Sequence, residues 1–343
     1  MARSIAPVRL RQGEAGFVIA APSGWTVDLK FMLGLKEGDQ RLKIFFLSRR
    51  TETNGTTLSD HLRYRVFDGT HVGDYSNRSS WLSDLRRETS GDVLLNVHGF
   101  NTSTKRMLES LAEIHRRSRS GSGSNAFKGA IVGYDWPAGS VQDGPKSDGL
   151  IKQLVDIYKH DRKMARRVAK IFVADAAALT GSSQFATHLL AHSMGAYVVL
   201  NAMTSSTGSS GKRFEQIILN AADVERRRLG KSLDGRALFK LTKRVTHYHC
   251  DQDQVLQVGG QIMHGGKSRS GREGLPMNAP DEIVSVDLRQ RYNATGPKWP
   301  APSHNWMLTD AKFLSDLLTA VRWPDWVDMP TRRRSGRGWA LKP

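Results

Sequence analysis

The run Ala191-His192-Ser193-Met194-Gly195-Ala196-Tyr197 constrains the fold of this chain more than any other stretch. An apolar segment, Phe185 to Ala191, leads into the serine, and a helix-compatible segment, Ala196 to Met203, follows it. A serine between a strand and a helix, with small residues two before and two after, fits a turn so sharp that its hydroxyl stands above a sheet. The small residues are Ala191 and Gly195, so the pattern is A-x-S-x-G where G-x-S-x-G is the common form. The arrangement points to a nucleophilic serine of hydrolase type.

The rest of the chain supplies a frame for such a turn. Arg41 to Ser48, Asp92 to His98, Ala130 to Tyr134, Phe214 to Asn220 and Val245 to Cys250 read as strands. Ser80 to Thr89, Thr104 to Arg119, Leu150 to Leu179 and Asp310 to Val321 read as helices. This alternation predicts a mostly parallel central sheet with helices on both faces. Chemistry then belongs at the carboxyl ends of the strands, where the loops starting at His98, Asp135 and His192 converge. Three segments are expected: residues 1–90, a partly stranded lead-in packing on or extending the sheet; 91–325, the α/β domain; and 326–343, a basic tail without fixed structure. The loop Gly259 to Asn278, rich in Gly, Lys and Arg, either covers the site or is disordered.

A serine hydroxyl needs a base to take its proton, and the base needs an acid to orient it. His304, in the loop before the last expected helix, is the candidate base. His247 and His249 alternate within a strand, and His264 lies in the Gly-rich loop. The acid is open between Asp253, which follows the Val245–Cys250 strand, Asp223, which closes the preceding strand, and Asp251. Met194, directly after the serine, and Phe100, after His98-Gly99, are expected to offer the backbone N–H groups of an oxyanion hole. Trp136 and Trp306, with Phe100 and Met194, would make an apolar substrate wall.

The segments Asn96-Val97-His98-Gly99-Phe100-Asn101, Tyr134-Asp135-Trp136-Pro137, Ala191-His192-Ser193-Met194-Gly195 and Ala222-Asp223-Val224 resemble a bacterial family of uncharacterised α/β-hydrolases. Tyr158-Lys159-His160-Asp161 resembles that family's Tyr-x-x-Asp. The resemblance runs over about residues 90–310 and is strongest at these motifs. It implies the α/β-hydrolase fold and a Ser-Asp-His triad on Ser193, Asp253 and His304, and it brings no substrate. Ala222 stands where a Pro commonly precedes the Asp.

Composition sets the outer bounds. Fifty-one Lys and Arg against thirty-three Asp and Glu give a formal charge of +18. Clusters at Arg116-Arg117, Lys159 to Lys170, Arg226-Arg227-Arg228, Lys240 to Arg244 and Arg332-Arg333-Arg334 could meet an anionic partner, nucleic acid or lipid surface. No nucleic-acid-binding signature accompanies them. Cys250 is the single cysteine, so no intrachain disulfide is available. The absence of a secretory leader and of a long apolar run predicts a cytoplasmic protein. No cofactor is expected. His247, His249, Asp251 and Asp253 have a spacing that could hold zinc, but a strand and turn account for it, and no metal is expected. The reading is an esterase- or lipase-like enzyme acting on a small or lipid-like ester. Acyl transfer by the same triad, or a non-catalytic role of a basic surface, are the alternatives. The oligomeric state is not written in the sequence.

Overall fold

The computed structural model describes residues 42–53, 55–89, 91–120, 127, 129–139, 150–206, 213–297, 303–322 and 327–343. The first 41 residues of the expected lead-in lie outside these, as do residues 121–126, 140–149 and 207–212.

The strands are β1 (Ile44–Arg50), β2 (Leu58–Phe67), β3 (Val72–Tyr75), β4 (Asp92–Val97), β5 (Ala130–Asp135), β6 (Ala186–His192), β7 (Gln216–Asn220), β8 (Val245–His249), β9 (Ile283–Asp287), β10 (Arg332–Ser335) and β11 (Gly338–Leu341). The helices are α1 (Arg78–Glu88), α2 (Thr104–Ser120), α3 (Leu150–Thr180), α4 (Met194–Ser205), α5 (Gln254–His264), α6 (Ser270–Glu273), α7 (Arg289–Thr295) and α8 (Ala311–Arg322). All strands join one sheet in the order β10-β11-β9-β8-β7-β6-β4-β5-β1-β2-β3. Among the described strands the stretch from β11 to β1 is parallel throughout, and antiparallel pairs occur only at the two edges.

Side chains alternate across the inner strands as pleating requires. Val93, Leu95 and Val97 of β4, Leu189 and Ala191 of β6, and Ile217 and Leu219 of β7 face α3 and α4 in one core. Leu94, Leu190 and Ile218 face α2 and α8 in the other. Burial on both faces explains why these strands read as unbroken apolar runs. The strand order reverses at β4: β5, its successor, lies on one side and β6 on the other. Loops leaving β4 and β6 therefore diverge and open a crevice at their carboxyl ends.

Of the two flanks, the tail differs from the sequence reading. β1 extends the sheet, pairing in parallel with β5, and its Arg50 is fully buried. Arg50 Nε donates to Asp135 Oδ1 at 2.6 Å, while Nη2 reaches the carbonyls of Thr102 (2.6 Å) and Ala138 (3.0 Å). Burial is the strongest single influence and works against ionisation of Asp135, but Arg50 and His98 together outweigh it and hold that carboxyl at about 2. The tail, expected without structure, forms the β10–β11 hairpin, and β11 extends the sheet beside β9. Arg332 is buried on Asp316 (2.8 Å) and on the Tyr248 hydroxyl (2.9 Å), and Trp339 and Leu341 are buried as well. A run of arginines reads as solvated unless one of them finds an interior acid, which Arg332 does.

Other parts of the basic surface are also locally matched. Arg116 and Arg117 pair with Glu113, Arg227 with Glu225, and Arg228 with Asp234. Among the described residues no helix is long and apolar enough to cross a membrane.

Candidate active site

Ser193 lies between β6 and α4, at the N-cap position of the helix, with φ +54° and ψ −121°, a conformation that L-residues rarely adopt. Such a residue costs on the order of 1–3 kcal/mol and persists only where its surroundings over-determine it. Here they do. Ser193 N–H donates to the Asn220 carbonyl at 3.0 Å, and Asp223 N–H donates to the Ser193 carbonyl at 3.0 Å. A Cβ on Gly195 would stand 2.2 Å from the Val97 carbonyl oxygen, and one on Gly99 would stand 2.7 Å from Ser193 Cβ. The turn thus passes so close to β4 and its loop that both positions must be glycine.

The loop after β4 is braced from four sides. The Trp136 indole N–H donates to the His98 carbonyl at 2.9 Å, and its ring stacks on the His98 imidazole. Asp161 of α3, fully buried, accepts from Asn101 N–H at 2.9 Å and Gly139 N–H at 3.0 Å. Arg50 holds the Thr102 carbonyl. Gly99 lies against the serine. Trp136 therefore supports this loop from the core and does not line the cavity beside Ser193, contrary to the sequence expectation. Trp306 is likewise packed inside, edge-on to Tyr292.

His304 reaches the same place by side-chain bonds. Its Nδ1–H donates to Asp253 Oδ2 at 2.6 Å. Asp253 is fully buried, and its other oxygen accepts from Leu256 N–H at 3.0 Å as the N-cap of α5. On one side of His304, Ser303 Oγ accepts from Gln254 N–H at 2.9 Å. On the other, Asn305 Oδ1 accepts from His192 Nε2–H at 2.8 Å, and the opposite His192 nitrogen accepts from the Asn220 amide at 3.1 Å. Burial alone would lower the His304 pKa, but the Asp253 charge and hydrogen bond outweigh it and raise it above the ordinary histidine value. His192, whose ring lies 5.0 Å from that of His304, is held at about 3 by burial and by the His304 charge, and stays neutral. His304 Nε2 is buried and has no hydrogen-bond partner among the described residues.

The other acid candidates are engaged elsewhere. Asp223 is buried under Arg269, whose Nε donates at 2.7 Å, and accepts from the Tyr158 hydroxyl at 2.5 Å. Burial opposes its ionisation most strongly, but the Arg269 charge, the Tyr158 hydrogen bond and the nearby His264 and Arg162 together lower its pKa. Asp251 pairs at the surface with Arg289 at 2.8 Å. His264, expected in an irregular loop, is the last residue of α5, with Nε2 2.6 Å from the Tyr158 hydroxyl. His247 and His249 stack on each other in β8. Among the described residues no group of three or more His, Cys, Asp or Glu side chains could hold a metal ion.

Ser193, His304, Phe100 and Asp223 line one cavity of about 220 Å³. Its outer wall is α5, which contributes Val255, Leu256, Ile262 and Met263. The segment expected as a cover or a disordered loop is thus, in its first part, a helical apolar wall. The sequence reading missed Asn305, Asn220 and the role of His192. Only their places beside His304, at the end of a strand and beside the serine were available as signals.

The sheet and its strained strand-to-helix turn define an α/β hydrolase. The chain belongs to the family of alpha/beta hydrolases of unknown function (DUF900), which it matches over residues 74–278. Among solved structures it is similar to a hyperthermophilic esterase from the archaeon Pyrobaculum calidifontis, at 10% identity over 86% of this chain and 88% of that one, with a TM-score of 0.37. It is also similar to a lipase-esterase related protein from Clostridium acetobutylicum (11% identity, 66% and 93% covered, TM-score 0.32). A third similarity is to TT1662 from Thermus thermophilus (16% identity, 59% and 81% covered, TM-score 0.32). With TM-scores this low, the family match alone carries the identification. No curated protein matches the chain.

Proposed function

We propose that this protein is a serine hydrolase that cleaves carboxylic esters through an acyl-serine intermediate. The observation that carries the reading is His304. One ring nitrogen is fixed on the buried Asp253 carboxylate, and the other is unpartnered on the cavity that Ser193 lines. A neutral imidazole oriented in this way is a general base, and the carboxylate stabilises the imidazolium that forms.

In this reading Ser193 Oγ bonds to the acyl carbon as its proton passes to His304 Nε2. The carbonyl pair moves onto oxygen, where the backbone N–H groups of Met194 and Phe100 receive the charge. Collapse expels the alcohol oxygen, which takes the proton from His304. Water then repeats the sequence and releases the acid. The apolar α5 wall suits an acyl chain. The neutral His192, fixed between Asn220 and Asn305, keeps the His304 loop in register without competing for the proton.

The test is an ester series with acyl chains from acetyl to octanoyl, followed by rapid-quench intact mass. Wild type is expected to gain the mass of one acyl group in a pre-steady-state burst, and Ser193→Ala to gain none. Turnover without a covalent adduct, or undiminished turnover in Ser193→Ala, would contradict the reading.

A further inference from the structure

One turn of α3 touches both backbone segments that would receive a developing oxyanion. Tyr158, at its start, sets its ring centroid 5.5 Å from that of Phe100 and donates its hydroxyl proton to Asp223. Asp223 N–H in turn holds the carbonyl of Ser193, in the turn that carries Met194. Asp161, three residues after Tyr158, is fully buried and reaches the loop after β4. These are the two ends of the Tyr-x-x-Asp pattern, and neither is a reactant in the ester chemistry.

Asp161 is held by backbone N–H groups from two loops. Oδ2 accepts from Asn101 N–H at 2.9 Å, and both oxygens lie 3.0 Å from Gly139 N. The half-exposed His160 adds Nδ1 at 3.3 Å from Oδ1, and among the described residues no lysine or arginine pairs with the carboxylate. Both donors sit in left-handed turns, Asn101 with φ +50° and Gly139 with φ +74°. A Cβ on Gly139 would stand 2.7 Å from the Asn101 carbonyl carbon, so Asp161 clasps the loops after β4 and β5 where they touch.

A buried carboxylate without a cation costs the fold, and a negative charge one residue from an oxyanion donor opposes the reaction that the donor serves. What the group offers is geometry. It only accepts hydrogen bonds, so neither oxygen can present a donor to these N–H groups. Its bond also turns Asn101 N–H toward α3. The Gly99–Phe100 peptide, whose N–H is the second donor assigned to the oxyanion, directly precedes that anchor, so its direction follows from where Asn101 is held.

We propose that Asp161 is a positioning residue for catalysis: by fixing Asn101 against Gly139 it aims Phe100 N–H at the oxyanion. This adds a residue to the ester reading and rests on it. An aimed oxyanion donor is felt in the transition state and not by the bound ester, so its loss appears in kcat and not in KM.

The test measures kcat per titratable serine, KM and the inhibition constant of a trifluoromethyl ketone with the same acyl chain. Wild type is compared with Asp161→Ala and Asp161→Asn. The ketone's adduct with Ser193 places an oxyanion in the hole, and fluorophosphonate titration counts the active sites. Asp161→Ala is expected to lower kcat about a hundredfold, as loss of one oxyanion donor does, and to weaken the ketone in proportion to kcat/KM. KM should stay within about threefold. Asp161→Asn keeps an acceptor for Asn101 N–H and should recover about tenfold of that loss or more. A purely structural role would lower the melting temperature and the number of titratable serines while leaving the constants per site unchanged, and that result overturns the proposal. So does a fall in kcat with ketone affinity unchanged, or an asparagine variant no better than alanine. If Asp161→Ala does not fold, Gly139→Ala decides on the same constants, because its Cβ pushes on Asn101 while Asp161 stays in place. Any of these failures, with fluorophosphonate labelling of wild type intact, leaves the ester reading standing. Absence of labelling in wild type overturns both.

Discussion

Ser193 and His304 border one cavity, yet the chain positions them by opposite means. Ser193 is set by the backbone: a positive φ, two carbonyl-to-amide bonds and glycines that let β4 pass within contact. His304 is set by side chains, with Ser303 and His304 tied to the start of α5 and Asn305 tied to His192 at the end of β6. Substitutions near the serine fail by adding volume, whereas those near the histidine fail by removing a partner. The first kind of positioning is written within a few residues. The second spans separations of 49 to 113 residues and exists only in the folded chain.

The sharpest break of this comparison removes the serine hydroxyl itself. Ser193→Ala is expected to lower kcat by on the order of a millionfold with no loss of melting temperature, since alanine fits the same turn. Steady-state hydrolysis and a thermal melt check both halves. Next in size is Asp253→Asn, for which kcat should fall about ten-thousandfold. Asparagine still caps α5, so stability should change little, and a large drop in melting temperature would show that the carboxylate serves mainly the fold.

The same variant has a pH signature. The raised His304 pKa means that the neutral base accumulates only above the ordinary histidine value of about 6.5, so kcat/KM rises with pH through that raised value. Without the Asp253 charge the rising limb moves to lower pH. A limb in the same place in both enzymes would assign the titration to another group.

Arg50→Met tests the frame behind the serine. It leaves Asp135 buried and uncompensated and should cost about 3–5 kcal/mol in urea unfolding. A cost under 1 kcal/mol would mean that β1 packs on the sheet without bracing the loop after β4. The smallest expected effect is Asn305→Ala, which removes one of the three ties on the His304 loop. One hydrogen bond is worth about 1 kcal/mol, so kcat/KM should fall several-fold, with the pH limb unmoved.

The legibility of the sequence follows the same division. β4, β6, β7 and the elbow were visible because each is a local apolar run ending in small residues. The tail and β9 were not. Ile283–Asp287 is interrupted by Ser285 and Asp287 and so is no unbroken apolar run, and the tail's burial depends on Asp316, sixteen residues before Arg332. α5 was hidden by Gly259 and Gly260. A Cβ on Gly260 would stand 3.1 Å from the Lys267 carbonyl oxygen, so this glycine admits a close chain crossing inside a helix. At the site, Ser193 and His304 were singled out from order and spacing, while the acid stayed open between Asp253, Asp223 and Asp251 until the family resemblance pointed to Asp253. Choosing Asp253 over Asp223 by contact required the structure, because what distinguishes them is Arg269, whose guanidinium occupies Asp223. The tryptophans were misplaced for a related reason: a pattern shows that a ring is buried, not which side of a loop it supports.

The measurement that bears most directly on the central claim is fluorophosphonate labelling read by intact mass, on wild type, Ser193→Ala and His304→Ala across pH 5 to 9. An activated serine predicts one adduct on wild type, with a rate that climbs through the raised His304 pKa, and none on either variant. A folded wild type that takes no adduct, or an adduct that persists in Ser193→Ala, would contradict it.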